Sequence, residues 1–454
     1  MKSTLTLLIA MLLLLPFQAR GKVIRIACVG NSITYGSGIT SRDRLSYPAQ
    51  LQEWLGSSYE VRNFGVSGAT LLKNGDNPYG LQPEYQASLD WEPDIVIIKL
   101  GTNDSKPRNW QYAGQFEEDY RELVRSYASL PSRPRILVAL PVPVFTAEKW
   151  GIRDSVVRDG VIPAIRQVAQ DNRLEVIDLF NALLPHPEAF PDEVHPNSIG
   201  AAIMVEEIYR TLFHRGQIHG SGYLNTAILA APGAECRGAA AGWGAGRDWF
   251  SQFDDINRIG ESRQVDLVFL GTSITQGLGG EGRTVWCAVP GLWDSLYGER
   301  NAANFGISGD RTQNVLWRIQ NGNFENISPK AIVLEIGVNN FPFHNAEEIT
   351  SGIHAIIKAL QKKVPGARIL LVGPLPAGAD PSGPLRKKYL EVQRNIKSTG
   401  GKNITHLDLG RVFIQPDGSL VPGLMSQDAI HLTPEGYRAW TAAMEGELVK
   451  IFGK

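Results

Sequence analysis

Cysteine is scarce: Cys28, Cys236 and Cys287 are the only three among 454 residues, an odd and small number that excludes a disulfide framework. One pair, Cys236 with Cys287, remains available for a bridge. Cys28 lies within an apolar run four residues before Ser32 and reads as a small core residue. A surplus of charge is missing as well, with 45 Lys+Arg against 46 Asp+Glu. Without a basic run or aromatic-basic interleaving, nucleic acid is excluded as an expected partner. No C-x-x-C, H-E-x-x-H or acidic calcium loop occurs, so no metal and no cofactor are expected. Long apolar stretches are also wanting. The best of them, Leu5 to Phe17, is too short to cross a bilayer, so stable membrane insertion is not expected. Preceded by Met1-Lys2 and followed by Ala19-Arg20-Gly21, it gives residues 1–21 the form of a signal peptide, predicting export to the periplasm or beyond. No cysteine follows at the distance a lipoprotein anchor requires.

What the chain has is repetition. Gly30-Asn31-Ser32-Ile33-Thr34 returns 241 residues later as Gly271-Thr272-Ser273-Ile274-Thr275, each after a strand-like run. Asn63 to Gly68, reading NFGVSG, returns as Asn304 to Gly309, NFGISG. Gly101-Thr102-Asn103-Asp104 is answered by Gly337-Val338-Asn339-Asn340, and Asp192-Glu193-Val194-His195 by Asp428-Ala429-Ile430-His431. Four matches in one order predict two copies of a domain. A chain of this length is also more than one core usually serves. The predicted division is a first domain over 22–214, a Gly/Ala-rich connection over 215–246 and a second domain over 247–454.

Within each copy, buried-looking runs alternate with amphipathic segments, the pattern of an α/β fold with a parallel sheet covered on both faces. The runs are Ile24 to Val29, Ile95 to Leu100, Ile136 to Leu140 and Val176 to Leu179, then Leu267 to Leu270, Ile332 to Ile336, Ile369 to Val372 and Ile404 to Leu407. Phe116 to Leu130, Asp248 to Arg263 and Ile349 to Val364 have helical spacing. In the connection, Tyr223 to Ala231 has enough apolar character to pack as a short element on one of the domains.

The repeated residues carry a chemistry. A serine hydroxyl is a weak nucleophile that needs a base within hydrogen-bond reach and a carboxylate to orient that base. Ser32 with His195 and Asp192, and Ser273 with His431 and Asp428, supply these groups, and a D-x-x-H turn lets the carboxylate reach back to the imidazole. Acyl transfer also needs donors aimed at the developing oxyanion. The backbone N–H groups of Ser32 and Gly68 with the Asn103 amide form one candidate oxyanion hole; Ser273, Gly309 and Asn339 form the other.

Serine, glycine, asparagine and D-x-x-H in this order resemble the SGNH (GDSL) hydrolase family, and the resemblance covers nearly all of both copies. It implies two flavodoxin-like three-layer α/β/α domains and ester hydrolysis through an acyl-serine intermediate. Phe305 to Ile319, FGISGDRTQNVLWRI, resembles the catalytic subunits of intracellular platelet-activating-factor acetylhydrolase, relatives that remove acetyl groups. The family's common Gly-Asp-Ser is here Gly-Asn-Ser and Gly-Thr-Ser, which changes the neighbour of the nucleophile and leaves all five functional positions in place in both copies.

The resulting expectation is an exported tandem serine esterase that removes acetyl or other small acyl groups from carbohydrate, its partner an acylated glycan or small ester, with no oligomeric state implied. A lipid esterase with a long acyl channel is the alternative enzyme, and a glycan-binding copy beside one active domain the alternative of another class. Trp286, Trp293 and Trp317 are expected to pack in cores rather than line a cleft. His186, His214, His219, His344, His354 and His406 are expected to be ordinary surface or core histidines. Asn326-Ile327-Ser328 and Asn403-Ile404-Thr405 match the glycosylation triplet.

Overall fold

The computed structural model describes residues 22–213, 224–401 and 403–453; the predicted signal peptide, His214 and His219 lie outside them. In the first half, β1 (Ile24–Gly30), β2 (Tyr59–Gly65), β3 (Ile95–Lys99), β4 (Arg135–Ala139) and, after a hairpin of β5 (Glu148–Lys149) and β6 (Ile152–Arg153), β7 (Glu175–Ile177) appear in turn. The second half contributes β8 (Leu267–Gly271), β9 (Ala302–Gly306), β10 (Ala331–Glu335), β11 (Arg368–Leu371) and β12 (Ile404–His406). The two sheets have the orders β2-β1-β3-β4-β7 and β9-β8-β10-β11-β12, parallel throughout. Each is the doubly wound order in which the chain steps to one side and then returns past its first strand. The predicted α/β/α fold is therefore present twice.

Alternation of side chains across each strand supplies two cores per sheet. In the first, Ala27, Val29, Val96, Ile98 and Val138 face the helices Phe116–Ala128 and Ile162–Asn172. Ile26, Cys28, Ile97 and Leu137 face Tyr47–Leu55 and Ser198–Phe213. In the second, Val268, Leu270, Ile332 and Leu334 pack under Trp249–Ser262, Thr312–Asn321 and Ala346–Lys363. Leu267, Phe269 and Val333 pack under Leu292–Tyr297 and Pro434–Phe452. Besides the short hairpin strands β5 and β6, two strands, one in each main sheet, have no counterpart among the predicted runs. β2 is an edge strand whose charged sequence Tyr-Glu-Val-Arg leaves its first five residues partly or fully exposed, and β9 is fully buried but built largely of Ala and Asn, without an apolar run to reveal it.

The connection does not hang free. Thr226–Ile228 forms one helical turn against the second core, and Ala227, Ala231, Ala234 and Trp243 are buried. Asp248 caps the predicted helix after it, accepting from Ser251 N at 2.9 Å. The two halves are tied by Arg311 to Glu206 at 2.9 Å, and the connection is held to the second half by Thr226 Oγ1 and His344 Nε2 at 2.8 Å. His186 stacks on Phe343 across the same seam, with ring centroids 5.4 Å apart. Burial pushes His344 down to about 4, so it holds this contact as a neutral ring. Cys28, Cys236 and Cys287 are all free thiols; the bridge left open by the sequence is not formed. Trp293 is buried as expected and Trp317 packs among Trp249, Phe250 and Phe253, whereas Trp286 is exposed, contrary to the expectation of core packing.

Candidate active sites

Each candidate nucleophile begins a one-turn helix at the C-terminal end of the first strand of its sheet, the edge where ligands meet doubly wound folds. Asn31 caps Ser32–Tyr35 by accepting from Ile33 N at 3.1 Å, and Thr272 caps Ser273–Gln276 by accepting from Ile274 N at 3.3 Å. The residue that differs from the family's usual aspartate therefore keeps that cap in both copies.

Ser32 Oγ lies 2.9 Å from His195 Nε2, and His195 Nδ1 lies 2.8 Å from Asp192 Oδ2. In the second copy Ser273 Oγ is 2.8 Å from His431 Nε2, and His431 Nδ1 is 2.6 Å from Asp428 Oδ2. The D-x-x-H turns explain how three residues suffice. Asp192 Oδ1 accepts from the backbone of Val194 at 3.0 Å and of His195 at 2.6 Å; Asp428 Oδ1 does the same with Ile430 and His431, both at 2.9 Å. The turn forces Glu193 and Ala429 into positive φ, 67° and 53°, a conformation costly for side-chain-bearing residues and commonest where function requires it. Burial raises both carboxyls, but the hydrogen bonds from the histidine and the turn outweigh it, holding Asp192 and Asp428 below the usual carboxylate range.

The candidate oxyanion donors come from the ends of the neighbouring strands. Gly68 follows β2 and Gly309 follows β9, at φ 82° and 87°, a region that suits glycine. Asn103 Nδ2 donates one hydrogen to Ala69 O at 3.0 Å and Asn339 Nδ2 one to Asp310 O at 3.0 Å, so each amide is fixed beside the glycine loop with a second hydrogen to offer. The residue after each asparagine braces the same loop. Asp104 accepts from Leu71 N at 3.1 Å and Leu72 N at 2.8 Å, and burial pushes it up to about 6; Asn340 accepts from Thr312 N at 2.9 Å.

Three side chains that the sequence did not single out belong to these sites. Lys99 and Glu335 end their strands beneath the candidate nucleophile turns, their only sequence signal being a charge one residue before the end of an otherwise apolar run. Glu235, from the connection, lies against Gly309 so closely that a methyl group there would collide with its carboxylate; among the described residues nothing comparable covers Gly68. Glu235, Gly309 and Asn339 line a cavity of about 320 Å³ together with Ile199 of the first half, Arg311 and Phe343. Among the described residues no cluster of His, Cys, Asp or Glu has the form of a metal site, and no helix is long and apolar enough to cross a membrane.

A serine–histidine–aspartate hydrogen-bond chain beside a held asparagine amide, carried on a doubly wound parallel sheet, is the arrangement that serine acyl hydrolases use. The chain belongs to the GDSL-like lipase/acylhydrolase family, which matches residues 28–203 and again 269–439 and places it among the carboxylic ester hydrolases. It is 42% identical over 203 residues to an acetylxylan esterase of Xylanibacter ruminicola, a match covering 41% of this chain and 42% of that protein. It is 36% identical to the alpha2 subunit of human platelet-activating factor acetylhydrolase IB over 42% of this chain and 78% of the subunit. Among solved structures, a two-domain esterase active on acetylated mannans, co-crystallised with mannopentaose, is similar at 22% identity and a TM-score of 0.34, over 45% of this chain and 53% of that one.

Proposed function

We propose that this chain is an exported tandem esterase that removes acetyl groups from carbohydrate, with one active site in each of two domains, 22–214 and 247–454, joined through 215–246. The observation that carries the reading is the pair of unbroken serine–histidine–aspartate hydrogen-bond chains, each beside an asparagine amide. The 42% identity to an acetylxylan esterase supports acetylated glycan as the substrate.

Ser32 or Ser273 is the nucleophile. As its Oγ attacks the ester carbonyl, His195 or His431 takes the hydroxyl proton at Nε2, and Asp192 or Asp428 stabilises the imidazolium through Nδ1–H. The carbonyl oxygen becomes an oxyanion received by the serine N–H, the Gly68 or Gly309 N–H and the Asn103 or Asn339 amide. The intermediate collapses with cleavage of the carbon–oxygen bond to the alcohol, and the departing alkoxide takes the proton from the imidazolium. Water then attacks the acyl-serine with the histidine as base, releasing acetate and restoring the serine.

The test is a comparison of Ser32→Ala, Ser273→Ala and the double variant on acetylated xylan and on a simple acetate ester. Each single variant should retain part of the activity, and the double variant almost none. An inert Ser273→Ala change on every ester would remove the second site from the proposal. Octanoyl esters cleaved as well as acetyl esters would replace the carbohydrate reading with a lipid one. A mature N-terminus found by mass spectrometry near residue 22 would agree with export; an intact Met1 on protein recovered outside the cytoplasm would count against the proposed signal peptide.

A further inference from the structure

The hairpin of β5 and β6 is an addition peculiar to the first copy. Where the second copy runs from the end of β11 into the helix Pro384–Ile396 without a strand, the first turns through Glu148–Arg153 before its next helix. Lys149 pairs with Ile152, leaving Trp150 and Gly151 as a two-residue turn with both φ values positive, 54° and 80°. Such turns favour Asn-Gly, because a bulky side chain at positive φ is strained. A tryptophan there is costly twice, since the residue is also 59% exposed.

The strained position has a consequence. The Trp150 ring lies 5.6 Å, centroid to centroid, from the His195 ring at an interplanar angle of 40°, and the His195 side chain is only 16% exposed against 42% for His431. The hairpin is pinned to both catalytic loops: Arg153 N donates to Ser105 Oγ at 3.1 Å beside Asn103, and Lys149 pairs with Glu193 of the D-x-x-H turn at 3.1 Å. Lys149 Nζ also lies 5.5 Å from the centre of the Trp150 ring, which fixes the indole further.

The side of the site follows from the chemistry. The histidine hands its proton to the departing alkoxide, so the alcohol half of the ester must lie beside His195, not over the acyl side. We propose that Trp150 is a carbohydrate-binding platform of the first site, its exposed face stacking on the pyranose ring of the sugar that carries the ester. The inference rests on the acetyl-carbohydrate reading above and adds a difference between the two sites: the first selects for the sugar, and the second does so without an equivalent aromatic surface from this hairpin.

The test uses the full chain with Ser273→Ala, so that only the first site turns over. Two substrates are compared, an acetylated xylo-oligosaccharide and ethyl acetate, whose alcohol is too small to cover an indole. Trp150→Ala should lower the ratio of kcat/KM for the oligosaccharide to that for ethyl acetate about tenfold, mainly through KM, with Trp150→Phe retaining most of it. Binding of unacetylated xylotetraose to the Ser32→Ala, Ser273→Ala chain should weaken similarly on Trp150→Ala, which reads the platform without turnover. An unchanged ratio, or an equal loss on both substrates through kcat, would overturn the platform and leave Trp150 as a support for His195. If the Ser273→Ala chain cleaved ethyl acetate but no acetylated oligosaccharide, the carbohydrate reading of the first site would fall, and this inference with it.

Discussion

Lys99 Nζ, fully buried at the end of β3, donates to Asn31 Oδ1 at 3.3 Å, one residue from Ser32. The same register position in the second sheet, opposite the strand's closing glycine, is Glu335. Its Oε2 accepts from Thr272 Oγ1 at 2.8 Å, Thr272 N at 3.1 Å and Thr275 Oγ1 at 3.0 Å. The two departures from the family's Gly-Asp-Ser are thus each half of a pair, Asn31 with a buried amine and Thr272 with a buried carboxyl. An ammonium only donates and a carboxylate only accepts, so a carboxylate at 99 would face Asn31 Oδ1, which also caps Ile33 N, acceptor against acceptor, and an unpaired buried polar group is costly.

The pairs should therefore exchange together and not singly. In the Ser273→Ala chain, Lys99→Glu is expected to lower first-site kcat at least tenfold, and adding Asn31→Thr to recover most of it, since Thr34 already stands where Thr275 stands. Steady-state kinetics on a simple acetate ester measures this, with circular dichroism as a control for folding. A double variant no better than Lys99→Glu alone would show that the two residues are not coupled.

Burial brings Lys99 down to about 7 from an ordinary 10.5. Between those values the unfolded chain binds a proton that the folded chain does not, so Lys99 subtracts stability as pH falls from about 10.5 to about 7 and adds no further pH dependence below. Lys99→Met removes that proton. The variant should gain on the wild type by on the order of a few kcal/mol between pH 9.5 and pH 7, whatever the fixed cost of the lost hydrogen bonds. Calorimetry of the full chain at the two pH values checks this; a constant gap between the two proteins would mean that Lys99 stays charged in the fold.

Asp192→Asn and Asn103→Ala should both lower first-site kcat, for different reasons. The amide at 192 can still bond the imidazole but cannot stabilise imidazolium by charge and favours the wrong tautomer, which in comparable sites costs about 10⁴-fold. Loss of the Asn103 amide removes an oxyanion donor, worth about 100- to 1,000-fold. Measured in the Ser273→Ala chain, a wild-type kcat for Asn103→Ala would leave Asn103 as no more than a brace for Ala69.

The carboxylate of Glu235 at Gly309 would oppose charge developing in the proposed second oxyanion hole, although Arg237 Nε, 2.6 Å from Oε2, offsets part of it. In the Ser32→Ala chain, Glu235→Gln should raise second-site kcat about three- to tenfold. A fall instead would mean that the carboxylate binds substrate.

The four blocks of each candidate site were legible because each is local. A serine after an apolar run, a glycine loop, an asparagine after the next run and a D-x-x-H turn keep their order and spacing in the chain, and the repetition ruled out coincidence. The central strands were legible for the same reason: buried on both faces, they read as continuous apolar runs. β2 and β9 were not. An edge strand carries the polar residues that solvent tolerates, and a strand of small residues buries itself without an apolar signature.

By itself, then, the sequence determined two copies of one α/β unit, the residues of each serine–histidine–aspartate chain and the absence of a disulfide framework. Only the tertiary structure decided what surrounds those residues. Lys99 reaches Asn31 across 68 positions and Ser32 reaches His195 across 163, but the repeat flagged only the second pair. Trp150 owes its place to a hairpin turn, and Glu235 to a Gly/Ala-rich connection whose packing at Gly309 no local pattern marks. Local pattern records what a segment does with its own neighbours; the polarity beneath a nucleophile, or the ring beside its base, depends on which distant segments the packed core brings together.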